Sequence, residues 1–263
     1  MRHFLAFARR DGQESRSYLA SWLVEGSGIL LTVFTFYFLG KWVDEHSGAT
    51  LPGGTRSYFG FAVNGIAMAL LLFQVVRGHS RALRHAQITG TLEPLLMTPV
   101  PPWQLALGGA LSHTGRGVAR LVAYLALALA LGAVRVEPAL VWLPVVILAA
   151  TLSFLPLGLL AATATVLLKR GDPVAYLANA ASLLLGGVYF PASVLPAWLR
   201  PASELYPATQ AIRALRAVTL GAGDVGAPVL WLLTFALVTL PPTAWLFERA
   251  VDRARSQGTL GQM

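Results

Sequence analysis

Gly90-Thr91-Leu92-Glu93-Pro94-Leu95-Leu96-Met97-Thr98-Pro99 is short and amphipathic, and it lies between two apolar runs of membrane length. Thr91 followed by Glu93 and Pro94 suits a helix start, Leu92, Leu95 and Leu96 share a face, and Thr98-Pro99 stops the helix. That leaves about two turns, whereas crossing a hydrocarbon core takes roughly 20 apolar residues. The stretch 88–99 is therefore a lever and not a span, and it is too apolar to stand free in water. Two surfaces suit it. A cleft in a cytoplasmic partner would make it a coupling helix; lipid headgroups would make it an ordinary interfacial helix. Spacing leaves both open.

Around the lever the chain is 56% hydrophobic and 12% charged, with a mean hydropathy of +0.62. A soluble domain carries roughly 25% charged residues, so this is an integral membrane protein. Apolar runs and short polar loops account for 1–263 as one membrane domain, leaving no room for a separate globular enzyme. Neither G-x-x-x-x-G-K-[ST] nor H-E-x-x-H nor G-x-S-x-G occurs, so no catalytic residues, no metal ligands and no directly bound cofactor are expected. The absence of cysteine excludes disulfides, thiolate metal sites and a cysteine nucleophile. The net charge of +8 is expected to reflect arginines on the cytoplasmic side of the bilayer rather than affinity for nucleic acid.

Outward from the lever, 20–39, 58–76, 103–134, 139–168, 174–190 and 227–247 read as six transmembrane helices of an all-α polytopic fold. Ahead of them 1–19 mixes Arg2, Arg9, Arg10 and Arg16 with Phe4, Leu5, Phe7 and Tyr18, which fits a helix along the inner headgroups better than a signal peptide. Glu25 is the only carboxylate placed within a span; solvation or an arginine partner near the cytoplasmic end stands against a proton relay. Arg77, His79, Arg81, Arg84 and His85 form a basic collar leading into the lever. His113, Arg116 and Arg120 share a helix face, either snorkelling to the headgroups or lining an entry path for an anionic headgroup. Pro144 and Pro156 are expected to kink or tilt a long fourth span, and Asn179 to bond a neighbouring helix.

The stretch 191–220 holds no full span. Its short pieces, broken by Pro191, Pro196 and Pro207 and flanked by Tyr189, Phe190 and Trp198, suggest a re-entrant hairpin dipping into the outer leaflet. Tyr189, Phe190, Pro191 and Trp198 are candidates for an external gate, with a passive aromatic belt as the alternative. Six spans put both termini on one side. Assigning that side to the cytoplasm places 14 of the 20 basic residues inside, in keeping with the positive-inside rule.

The run Thr89 to Pro99, then Gly187-Val188-Tyr189-Phe190-Pro191, Leu195-Pro196-Ala197-Trp198-Leu199, Tyr206-Pro207-Ala208-Thr209 and Ala214-Leu215-Arg216, resembles the ABC-2 type transporter permeases. These are membrane subunits of bacterial ATP-binding cassette exporters. Family members often have an acidic residue just upstream of the first motif, where this chain has His85-Ala86-Gln87. The resemblance implies an N-terminal interfacial helix, six spans, a coupling helix and the outer hairpin, in a bacterial inner membrane with both termini cytoplasmic. It also implies a homodimer, or a heterodimer with a related permease, joined to separately encoded ABC ATPase subunits that bind ATP and Mg. The coupling residues it points to are Gly90, Thr91, Leu92, Glu93, Leu95, Leu96, Thr98 and Pro99. The expected function is outward movement of a hydrophobic, amphiphilic or lipid-linked substrate. An intramembrane protease or lipid transferase, or a structural membrane-complex subunit, are the alternatives.

Overall fold

The second long helix is the axis of the molecule. In the computed structural model, which describes residues 19–47, 57–134, 138–168, 172–221 and 223–256, α1 is Leu19–Ser47 and α2 is Tyr58–Ile88. A helix apolar on every side must be enclosed by others, and every residue of α2 from 59 to 69 is buried. Around it pack α1, α4 (Pro102–Ala130), α5 (Leu143–Leu168), α6 (Pro173–Leu185) and α8 (Pro207–Leu220). The five-residue lever α3 (Leu92–Leu96) links α2 to α4, α7 (Arg200–Glu204) precedes α8, and α9 (Gly226–Ser256) packs on α5 and α8. All the regular elements described are helical.

The seam between α2 and α4 is close because small residues line it. A Cβ on Gly78 would come within 2.6 Å of the His113 Cβ, and one on Gly117 within 3.1 Å of the Gln74 Cβ. Such positions let backbones approach where lipid supplies no hydrophobic drive to pair helices. The outermost helices are the reverse. α1 exposes Leu31, Phe34, Phe38 and Trp42, and α9 exposes Leu230, Leu237, Val238 and Trp245, which in a membrane leaves them for lipid or a second subunit.

Among the described residues four stretches are long and apolar enough to cross a bilayer: Gly26–His46, Tyr58–Ile88, Pro138–Leu168 and Gly226–Ser256. Two expected spans differ. The third, 103–134, is helical only to Ala130, where Gly132 at φ 76° turns the chain. The fifth, 174–190, stops at Leu185, and its 13 residues reach about 20 Å against a core of about 30 Å. Gly186 and Gly187, the latter at φ 68°, account for that early stop. Pro144 falls in the first turn of α5, where its missing N–H has no helical partner to lose; only Pro156 lies inside the helix. Except for Leu19, the interfacial helix expected over 1–19 lies outside the described residues, as do the side chains of Glu25 and Glu93 and the residues Arg135, Lys169 and Arg170.

Candidate functional site

The lever is set at a sharp corner. Gly90, at φ 65°, closes α2: its N–H donates to the Gln87 carbonyl and the Thr91 N–H donates to that of Ala86, at 3.0 and 2.9 Å. The Thr91 hydroxyl turns back toward Thr89, 2.9 Å away, while its carbonyl accepts the first bond of the lever from Leu95. The Thr98 hydroxyl donates to the Leu95 carbonyl and closes the far end.

The apolar face points inward, against expectation. Leu92 is only 7% exposed and joins a cluster of Leu83, Ala106, Leu159, Ala162, Phe247 and Val251, with Leu96 packed at its edge. Leu92 is therefore covered by this chain's own helices and Leu96 partly so, where the expectation had both in a partner's cleft. Leu95 is half-buried. At the edge of the corner, Ile88 and Met97 are 75% and 88% exposed. The C-terminal end of α9 also grips the lever, since the Arg255 guanidinium donates to the Leu96 carbonyl at 2.8 Å.

Above the lever lie the arginines. Arg116 donates to His113 Nδ1 at 2.9 Å, so these two of the three predicted side chains meet. Arg77 stands over the rings of Phe73 and Tyr176, at 5.3 and 5.7 Å. Asp172 caps α6 through the Ala175 N–H and accepts from the Ser80 hydroxyl at 3.0 Å. Burial pushes the Asp172 carboxyl above its ordinary range, opposed by these hydrogen bonds and by Arg77 and Arg84. His79 does not belong to the collar. It is buried between α2 and α5, its Nδ1 lies 2.8 Å from the Val75 carbonyl, and a Cβ on Gly158 would collide with its ring.

At the other end, the hairpin is fastened by Arg216. Its guanidinium donates to the carbonyls of Phe61, Gly187 and Val188 and stacks 3.4 Å from the centre of the Phe61 ring. One helical turn on, the Thr219 hydroxyl donates to Asn64 Oδ1 at 2.9 Å. Ser203 and Thr209 donate to the Leu185 carbonyl that the end of α6 leaves open, and the Tyr206 hydroxyl to that of Ala178. Glu204 pairs with Arg213, which holds its carboxyl below the usual range. Tyr189 stacks on Phe36 of α1 at 5.7 Å, and its carbonyl accepts from the Tyr58 hydroxyl. Trp198, at 76% exposed, projects away.

A family model described as ABC-2 type transporter matches residues 12–220, which include both the lever and the hairpin. The chain belongs to this family. A comparison with curated proteins found no match. The protein is thus a transporter permease, a membrane component of a kind that normally works with an ABC ATPase subunit.

Within the permease, the aromatic residues proposed for a gate do not all behave alike: Tyr189 is held against α1, Phe190 and Pro191 are half-buried, and Trp198 is free of the bundle. Three features were missed in the sequence. Arg255 lies 159 residues from its lever contact. Asn64, rather than Asn179, makes the asparagine bond between helices among the described residues. Ile88 and Met97 were visible as apolar residues at the ends of the lever, but the leucine triplet drew the helix's apolar face without saying what would cover it.

Proposed function

We propose that this permease is one subunit of an ATP-driven exporter, moving a hydrophobic, amphiphilic or lipid-linked substrate outward with a separately encoded ABC ATPase. The lever receives the force, and the observation that carries this reading is its mounting. It is joined by chain to α2 and α4, by packing to α5 and α9, and by Arg255 to the end of α9. A push on so short a helix is delivered to four long ones. The partner meets the exposed rim of Ile88, Pro94, Met97, Thr98 and Pro99, while Leu92 and Leu96 carry the motion inward. Glu93 orients the partner, and Gly90 fixes the corner. Arg116 and Arg120 line the inner approach for an acidic substrate, and the hairpin from Tyr189 to Trp198 shuts the outer one.

The test is co-purification with the ATPase. Each of two apolar side chains fully buried at that contact is worth about 1.5–3 kcal/mol, so Ile88→Ser with Met97→Ser should detach the ATPase from a folded permease. Full retention of the ATPase with normal transport would overturn the assignment.

A further inference from the structure

The proposed force path leaves unused a group of arginines at the cytoplasmic third of α2. Counting about 1.5 Å per residue from Tyr58, a hydrocarbon core of about 30 Å ends near residue 78, so Arg77, Arg81 and Arg84 stand at headgroup depth. Their spacing of four and three puts them on one face. Arg81 is exposed and lies within electrostatic reach of Arg77 on its own helix and Arg120 on α4, with Asp172 and Tyr176 of the α6 side opposite. Among the described residues neither Arg77 nor Arg81 makes an ion pair. Asp172 adds one carboxylate to this group, and it is already engaged by Ser80 and the α6 backbone.

Like charges gathered this closely repel, and an anion between them removes the repulsion. Guanidinium forks match phosphate oxygens, and the rings of Phe73 and Tyr176 hold Arg77 in place before any anion arrives. The cluster also adjoins an apolar strip: Tyr176, Leu177 and Leu184 of α6 are 56%, 69% and 50% exposed. Charge at headgroup depth beside an exposed apolar strip suits an amphiphile, with its phosphate on the arginines and its acyl chains along α6.

We infer that Arg77, Arg81 and Arg120, with Tyr176, form a binding site for the phosphate of an anionic lipid of the inner leaflet. The site shares Arg120 with the proposed inner approach for a substrate, but it holds its lipid whether or not that lipid is ever transported, and lipid retention is read without ATPase or transport.

The full chain in neutral detergent, examined by native mass spectrometry, tests this with phosphatidylglycerol, phosphatidylcholine and inorganic phosphate. Phosphatidylglycerol should remain bound where phosphatidylcholine does not, and inorganic phosphate at equal concentration should not displace it. At about fivefold per arginine near a membrane surface, Arg81→Gln should weaken retention about fivefold and Arg81→Gln with Arg120→Gln about 25-fold. Arg249→Gln, whose parent side chain stacks on Trp245 of α9, should change nothing. Arg81 is exposed, so its substitution leaves the packing intact, and Arg81→Lys, which keeps the charge but loses the fork, should retain more lipid than the glutamine variant and less than the parent. Equal retention of the two lipids, an unchanged Arg81→Gln variant, or a lysine variant as weak as the glutamine one would overturn the site. Displacement by inorganic phosphate would overturn its assignment to a lipid.

Discussion

Arg216 shows how a single side chain can hold an irregular segment in place. Two of its carbonyl partners, Gly187 and Val188, belong to the glycine turn, where regular bonding has lapsed, and the third, Phe61, lies in the first turn of α2, where the carbonyl faces a helical N–H as well. A buried carbonyl left unpaired costs about 1–3 kcal/mol, so Arg216→Met should lower stability by about 2 kcal/mol or more. Thermal unfolding in detergent measures this; an unchanged melting temperature would mean the carbonyls find other donors. The sequence displayed Arg216 as the end of a family motif and not as a clasp, because an arginine reads as solvated until the carbonyls around it are seen. Glu204 supports a second expectation. Its depressed pKa means that the folded chain binds fewer protons than the unfolded one just below the ordinary carboxylate value of about 4.3. The stability it contributes is present above that value and lost as pH falls through the depressed one. Both partners are about half exposed, at 41% and 52%, so the loss should be under about 1 kcal/mol. Glu204→Gln should abolish that part of the acid dependence, as read from melting temperatures between about pH 6 and about pH 3.

At the scale of elements, the lever separates what a pattern can and cannot say. Leucines at 92, 95 and 96 specify an amphipathic turn, and Gly90 and Thr98-Pro99 bracket it; these were legible because they are local. Which body the leucines face depends on Phe247, Val251 and Leu159, more than 60 positions away and not written into the helix itself. The consequence is a division of effects. Leu92→Ser puts a hydroxyl into a packed apolar cluster and should cost about 2–4 kcal/mol of stability. Arg255→Ala removes the bond to the Leu96 carbonyl together with an exposed ion pair to Asp252 on its own helix, which is worth little. It should leave the fold and ATPase binding intact while lowering transport per ATP hydrolysed, measured in reconstituted vesicles. Unchanged coupling would confine Arg255 to a surface role. The hairpin was partly legible in the same way. Its prolines announced broken helices, but the early stop of α6 follows from Gly186-Gly187, a pair that apolar counting passes over.

At the scale of the whole molecule, an enclosed α2 and two apolar outer helices describe a bundle whose periphery is unfinished. Trp198 projects from the hairpin, whereas Phe190 is half-buried, and no native cysteine interferes with labelling. Cysteine at either position should therefore change its reactivity toward an impermeant thiol reagent when the ATPase binds nucleotide, with Trp198 the more reactive at rest. Identical labelling in both states would leave these aromatics as a passive belt. The enclosure of α2 also fixes an order of events during biosynthesis. Asn64, His79 and Ser80 end up buried, yet α2 leaves the ribosome before α4, α5, α6 and α8 exist to cover it. Until those arrive, its polar side chains stand beside acyl chains or water, and its glycine seam has nothing to close on. A chain arrested after α2 or α4 should consequently be a substrate for membrane quality control, although each helix has already inserted.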